Sequence, residues 1–71
     1  MENDHPISFS ERELEVLEGM VKGLSNPEIA EQLGITKKTV DFHVGNILQK
    51  MGVKNRTQAV VEAIRRRWVE V

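Results

Sequence analysis

Seventy-one residues carry ten Lys and Arg against eleven Asp and Glu, a formal net charge of −1. A chain this short makes one small domain that buries only about 60% of the surface its unfolded form exposes, which leaves little wall for a catalytic cleft. It has no cysteine for disulfides or thiolate metal sites, its two histidines, His5 and His43, lie too far apart for a local metal motif, and its total charge speaks against a nucleic-acid partner.

Along the chain, residues 1–8 read as a disordered leader and 9–71 as the folded domain. The leader holds Glu2 and Asp4 and no apolar run, so it is no signal peptide. Ser10 with Glu13 is a capping box that opens a helix over about 10–22, with Leu14, Leu17 and Val21 at helical spacing and Gly23 as its stop. Ser25 with Glu28 is a second box, with Pro27 in the first turn, for a short helix over about 26–33 that buries Ile29, Ala30 and Leu33. Thr36 caps a third helix, about 37–51, on which Val40, Val44, Ile47 and Met51 form one stripe. Asn55 with Gln58 starts a fourth, about 56–67, with Val60, Ala63 and Ile64 inward. Four starts and glycine stops that agree with the periodicity predict an all-α, four-helix domain. No apolar stretch approaches the roughly 20 residues needed to span a bilayer, and a cytoplasmic setting without membrane contact is expected.

The charge is unevenly distributed. Residues 1–35 hold eight acids and two bases, a balance of −6, whereas residues 36–71 hold eight bases and three acids, a balance of +5. A basic face can therefore hide behind the total.

Gly34 follows Ala30 by four residues and precedes Val40 by six. A small residue where helices cross, a glycine where the backbone turns and a branched residue that locks the second helix give the spacing of a helix-turn-helix; an ordinary αα-hairpin is the alternative. At about 100° per residue from Val40, Lys38, Phe42, Gly45, Asn46 and Gln49 fall between roughly 140° and 240°, opposite the core stripe. Apolar side chains facing a major groove meet thymine methyls, while Asn, Gln and Lys reach base edges or phosphates. Gly45, inside a helix, costs about 1 kcal/mol relative to Ala; close approach to DNA is one reading, close packing or mere tolerance the other.

The runs Phe9-Ser10-Glu11-Arg12-Glu13-Leu14-Glu15-Val16-Leu17, Gly23 to Ala30, Lys38 to Leu48 and Gly52 to Ala59 together resemble the LuxR-type (NarL/FixJ-like, GerE-like) DNA-binding domain over about residues 8–67. The resemblance implies the output module of a bacterial transcriptional regulator, commonly behind a receiver or ligand-sensing domain. Its third helix would read the major groove of double-stranded DNA and its fourth would join a homodimer. It places base-facing roles on Asp41, Phe42 and Gly45, beside Lys38, Asn46 and Gln49 of the outward face. Phosphate roles fall on Lys37, Thr39, Lys50 and the Asn55-Arg56-Thr57 segment, with Lys38 and Asn46 able to serve either. His43 is expected to pack and make one hydrogen bond. Asp41 and Gly45 stand where many relatives carry Lys or Arg, which suggests a different target or weaker binding. Val61, Arg65 and Trp68 are candidates for the two-fold contact, unless Trp68 folds back on its own core.

The expected function is thus sequence-specific DNA binding without a cofactor. The rivals are a sigma-factor-like promoter reader and a protein-interaction module that keeps the fold. An enzyme is not expected, since the carboxylates and hydroxyls are explained by capping and solvation.

Overall fold

Each helix begins where a side chain can satisfy its orphan backbone donors. In the computed structural model, which describes residues 7–69, Ser10 Oγ accepts from the Glu13 N–H at 3.0 Å and Glu13 Oε1 accepts from the Ser10 N–H at 2.9 Å, opening α1 (Glu11–Val21). Ser25 and Glu28 repeat this reciprocal pair at the head of α2 (Asn26–Leu33), with Pro27 in the first turn. Thr36 caps α3 (Lys37–Met51) through the Thr39 N–H, and Asn55 caps α4 (Arg56–Arg65) through the Gln58 N–H. Among the described residues there are four helices and no strand, so the all-α expectation holds. The leader expected over 1–8 lies outside the described residues up to residue 6; Ile7 is half-buried and the Ser8 carbonyl accepts a hydrogen bond from Lys50.

Helix ends follow one pattern. Ile35 N–H donates to the Ala30 carbonyl and Gly34 N–H to that of Glu31, and Val53 and Gly52 do the same toward Leu48 and Gln49. These paired bonds need a left-handed residue, supplied by Gly34 at φ 71° and Gly52 at φ 70°. The fourth helix closes the same way, two residues earlier than expected. Trp68 N–H donates to Ala63 and Arg67 N–H to Ile64, with Arg67 itself at φ 58°. That turn sends Trp68 and Val69 back toward the core.

The core differs from the expected list in three places, the first being Leu33 on α2, which is half-buried rather than buried. On α1 the buried residues are Val16, Leu17 and Met20, with Leu14 and Val21 half-buried, because α1 packs against all three other helices and needs a broader apolar arc than one stripe. On α4, Ala59 and Ala63 are fully buried, Val60 is half-buried, and Ile64 is exposed. The returning Val69 supplies the buried aliphatic chain expected of Ile64. Ile29, Ala30, Val40 and Ile47 complete the core and join α2 to α3. Gly19 lies at the α1–α2 contact: a Cβ there would meet Ile29 Cγ1 at 2.7 Å.

Candidate nucleic-acid interface

The pair α2 and α3 share the most extensive helix contact among the described residues, and Ala30 of α2 and Val40 of α3 are both buried in the common core. The turn between them, Gly34 to Thr36, is the short left-handed connection a helix-turn-helix requires. With Val40 and Ile47 buried and Val44 and Met51 half-buried on one side, the opposite side of α3 faces solvent. Lys38, Phe42, Gly45 and Gln49 are exposed there, and Asn46 is half-buried. Phe42 is 65% exposed, the largest apolar exposure recorded among the described residues. Its ring meets the half-buried His43 edge-on, with centroids 5.8 Å apart. His43 packs as expected, yet its Nδ1 is buried without a hydrogen-bond partner. Apart from its chain neighbours and the backbone of its own helix, no atom of the described residues lies within 4 Å of a Cβ built on Gly45, so packing among them does not explain that glycine.

The charges are arranged less simply than their positions in the sequence suggest. Asp41 Oδ2 accepts from Lys37 Nζ at 2.8 Å and Asp41 Oδ1 from Asn26 Nδ2 at 2.8 Å. Asn26 Oδ1 in turn accepts from Arg56 at 2.7 Å, and the same guanidinium donates to the Leu24 carbonyl at 2.6 Å. One chain of polar contacts therefore runs from α3 through the head of α2 to the head of α4. The Lys37 ammonium, then the Asn26 amide, hold the Asp41 carboxyl below its ordinary range against a slight opposing effect of burial.

A second network closes the far end of α3. Lys50 Nζ donates to Glu13 Oε1 at 2.7 Å and to the Ser8 carbonyl at 3.0 Å, and sits 6.0 Å from the centre of the Phe9 ring. Glu13 is only 5% exposed. Burial pushes its carboxyl upward, but Lys50, the Ser10 N–H and the positive charges of Lys50 and His43 outweigh it and leave the group below the usual range. At the head of α2 the Ser25 N–H and hydroxyl lower Glu28 likewise. On α4, Glu62 pairs with Arg65 at 3.2 Å and Arg66 at 3.0 Å.

Of the residues expected at phosphates, Thr39 in the first turn of α3, Asn55 at the N-cap of α4 and Thr57 in its first turn are exposed. Lys37, Lys50 and Arg56 are drawn into the two networks. Of the eight bases of the second half, the side chains of Lys38, Lys54 and Arg67 make no ion pair or hydrogen bond with another described residue, although the Lys54 N–H donates to Gln58 Oε1 at 2.8 Å. Asn26, which the sequence reading passed over, holds the centre of the first network, and nothing local marks it beyond its place next to a capping serine. Of the three dimer candidates, Val61 is 48% exposed beside Val53, Thr57 and Gln58, and Arg65 is exposed in its pair with Glu62. Trp68 turns inward: it is half-buried, edge-on to Phe9 at 5.4 Å, with Arg66 over its ring. No helix among the described residues is long and apolar enough to cross a membrane.

A third helix locked by α2 and backed by α1 and α4 defines a helix-turn-helix DNA-binding domain of the transcriptional-regulator class. Residues 7–63 match the family described as bacterial regulatory proteins, luxR family, and the chain belongs to it. It is 58% identical over 63 residues to the transcriptional regulatory protein DegU of Brevibacillus brevis, covering 89% of this chain and 27% of that one. It is 49% identical over 62 residues to the response regulator VraR of Staphylococcus aureus, covering 87% and 30%. The solved structure of the transcription factor GerE superposes with a TM-score of 0.81 at 37% identity, covering 87% of this chain and 92% of that one. The chain thus spans under a third of the length of DegU and VraR and nearly the whole of GerE.

Proposed function

We propose that this domain binds double-stranded DNA sequence-specifically, with α3 in the major groove, as the output module of a longer cytoplasmic response regulator. The observation that carries the reading is the outward face of α3. A phenylalanine two-thirds exposed, an uncrowded glycine and the polar residues Lys38, Asn46 and Gln49 share it, and no contact within the fold explains that combination. Phe42 suits a thymine methyl, and Asn46 and Gln49 suit adenine edges. Lys38, Thr39, Asn55 and Thr57 suit the flanking phosphates. Lys50 and Arg56 serve the interface by holding α3 and α4 in place. The exposed Val61 and its surroundings on α4 support a homodimer on paired half-sites.

The test is selection of bound duplexes from a random pool, followed by titration of the selected and random sequences. Phe42→Ala and Asn46→Ala should relax the selected consensus at the positions they face, while Lys38→Ala weakens all sequences alike and lowers the salt slope by about one. A domain that enriches no consensus and ignores random duplex at low salt would instead be a protein-interaction module.

A further inference from the structure

We propose that Asp41 is a specificity-setting residue that keeps Lys37 from counting as a phosphate contact. The inference rests on the DNA-binding reading above. Lys37 stands at the first position of α3, where a cation would ordinarily meet the DNA backbone. Here its ammonium lies 2.8 Å from Asp41 Oδ2, one helical turn away. An exposed pair at this spacing is weak by itself, and a phosphate could compete for the lysine.

What distinguishes this pair is the other oxygen. Asp41 Oδ1 is held by Asn26, and Asn26 by the half-buried Arg56, which also grips the Leu24 carbonyl. The carboxylate is tied to the head of α2 and cannot leave with the lysine. Any swing of Lys37 toward a phosphate would abandon a fixed negative charge one turn into the reading helix. Lys37 and Asp41 therefore enter the interface as a neutral unit.

The consequence is for non-specific binding, which comes almost entirely from phosphate neutralisation. Removing one cation from that sum lowers affinity for every sequence, so the contacts from Phe42, Asn46 and Gln49 make up a larger share of what remains. Asp41 is thereby a positioning residue: it acts on Lys37 and on the α2–α3 joint and need touch no base.

A double-mutant cycle tests this, using fluorescence titration of a random-sequence duplex between about 50 and 200 mM salt, with thermal melts to verify folding. D41N keeps an oxygen for the Asn26 amide and removes the charge. It should bind random duplex several-fold more tightly, with a salt slope steeper by about 0.9, so that its affinity falls across that range by about threefold more than the unaltered domain's. K37A, which leaves the Asp41 charge uncompensated, should weaken the unaltered domain by a smaller factor than it weakens D41N, where it cancels the whole gain. Should D41N lose its fold, D41S provides the same comparison. Equal effects of K37A in both backgrounds, or an unchanged slope in D41N, would overturn the inference while leaving DNA binding in place. Absence of any duplex binding by all the folded proteins would overturn the DNA-binding reading and this inference with it.

Discussion

Two glycines lie inside helices of this domain, and their surroundings are opposite. At Gly19 the missing Cβ is replaced by Ile29, whose Cγ1 would come within 2.7 Å of a side chain there. At Gly45 the missing Cβ leaves open space. Both positions carry the same backbone cost, near 1 kcal/mol relative to Ala. On α1 that cost is offset inside the molecule, by letting α2 approach. On α3 no packing neighbour among the described residues offsets it. The seam between α1 and α2 is thus explained by the chain itself, whereas the outer face of α3 is the open surface on which the proposed DNA contact rests.

Gly19→Ala should break the first half of this contrast. The clash falls on a branch carbon of Ile29 rather than a free chain end, so overpacking should cost about 1–3 kcal/mol, only partly recovered by helix propensity. Chemical denaturation should show a lower midpoint, and an unchanged or higher one would mean that the seam has slack. Gly45→Ala should act in the other direction, stabilising by up to about 1 kcal/mol while weakening DNA binding without altering its salt slope. Stabilisation with unimpaired binding would show that DNA does not approach that closely.

The pH dependence sharpens the contrast from the other end of α3. Glu13 has a depressed folded-state pKa, so its contribution is fully present above the ordinary carboxylate value of 4.5 and is lost as pH falls through the lower folded value. Thermal melts from pH 7 to pH 3 should therefore show a steeper loss for the unaltered domain than for Glu13→Gln, which keeps the capping geometry without the charge. Parallel losses would place the acid sensitivity elsewhere. The smallest effect is expected at Phe42. Truncating it to Ala should change stability by no more than about 0.5 kcal/mol, because the ring lies mainly in solvent.

The sequence reading succeeded where the physics is local. Ser10, Ser25, Thr36 and Asn55 each act within three residues, and the Ala30–Gly34–Val40 spacing reflects a single turn, so helix starts and the helix-turn-helix were legible. It fell short where partners are distant. Glu13 looks like a capping acid alone until Lys50, 37 residues on, arrives beside it. Arg56 looks like a free cation until it reaches Asn26 and Leu24 across the fold. The basic balance of the second half was real, but most of it is spent on holding the domain together. Ile64 was misjudged, and the choice between the two readings of Trp68 left open, for a related reason: the turn at Arg67 needs a left-handed non-glycine residue, which no pattern in the sequence announces.

The Arg56 guanidinium has one further consequence. It joins the first turn of α4 to the residues that open α2, and through Asn26 to α3. Reader and neighbour helix are thereby geared together rather than hinged. If two copies meet through α4, the phase of one reading helix on the double helix dictates that of the other. The spacing between half-sites would then be a mechanical property of this domain, altered by loosening one half-buried cation and without changing any residue that faces a base.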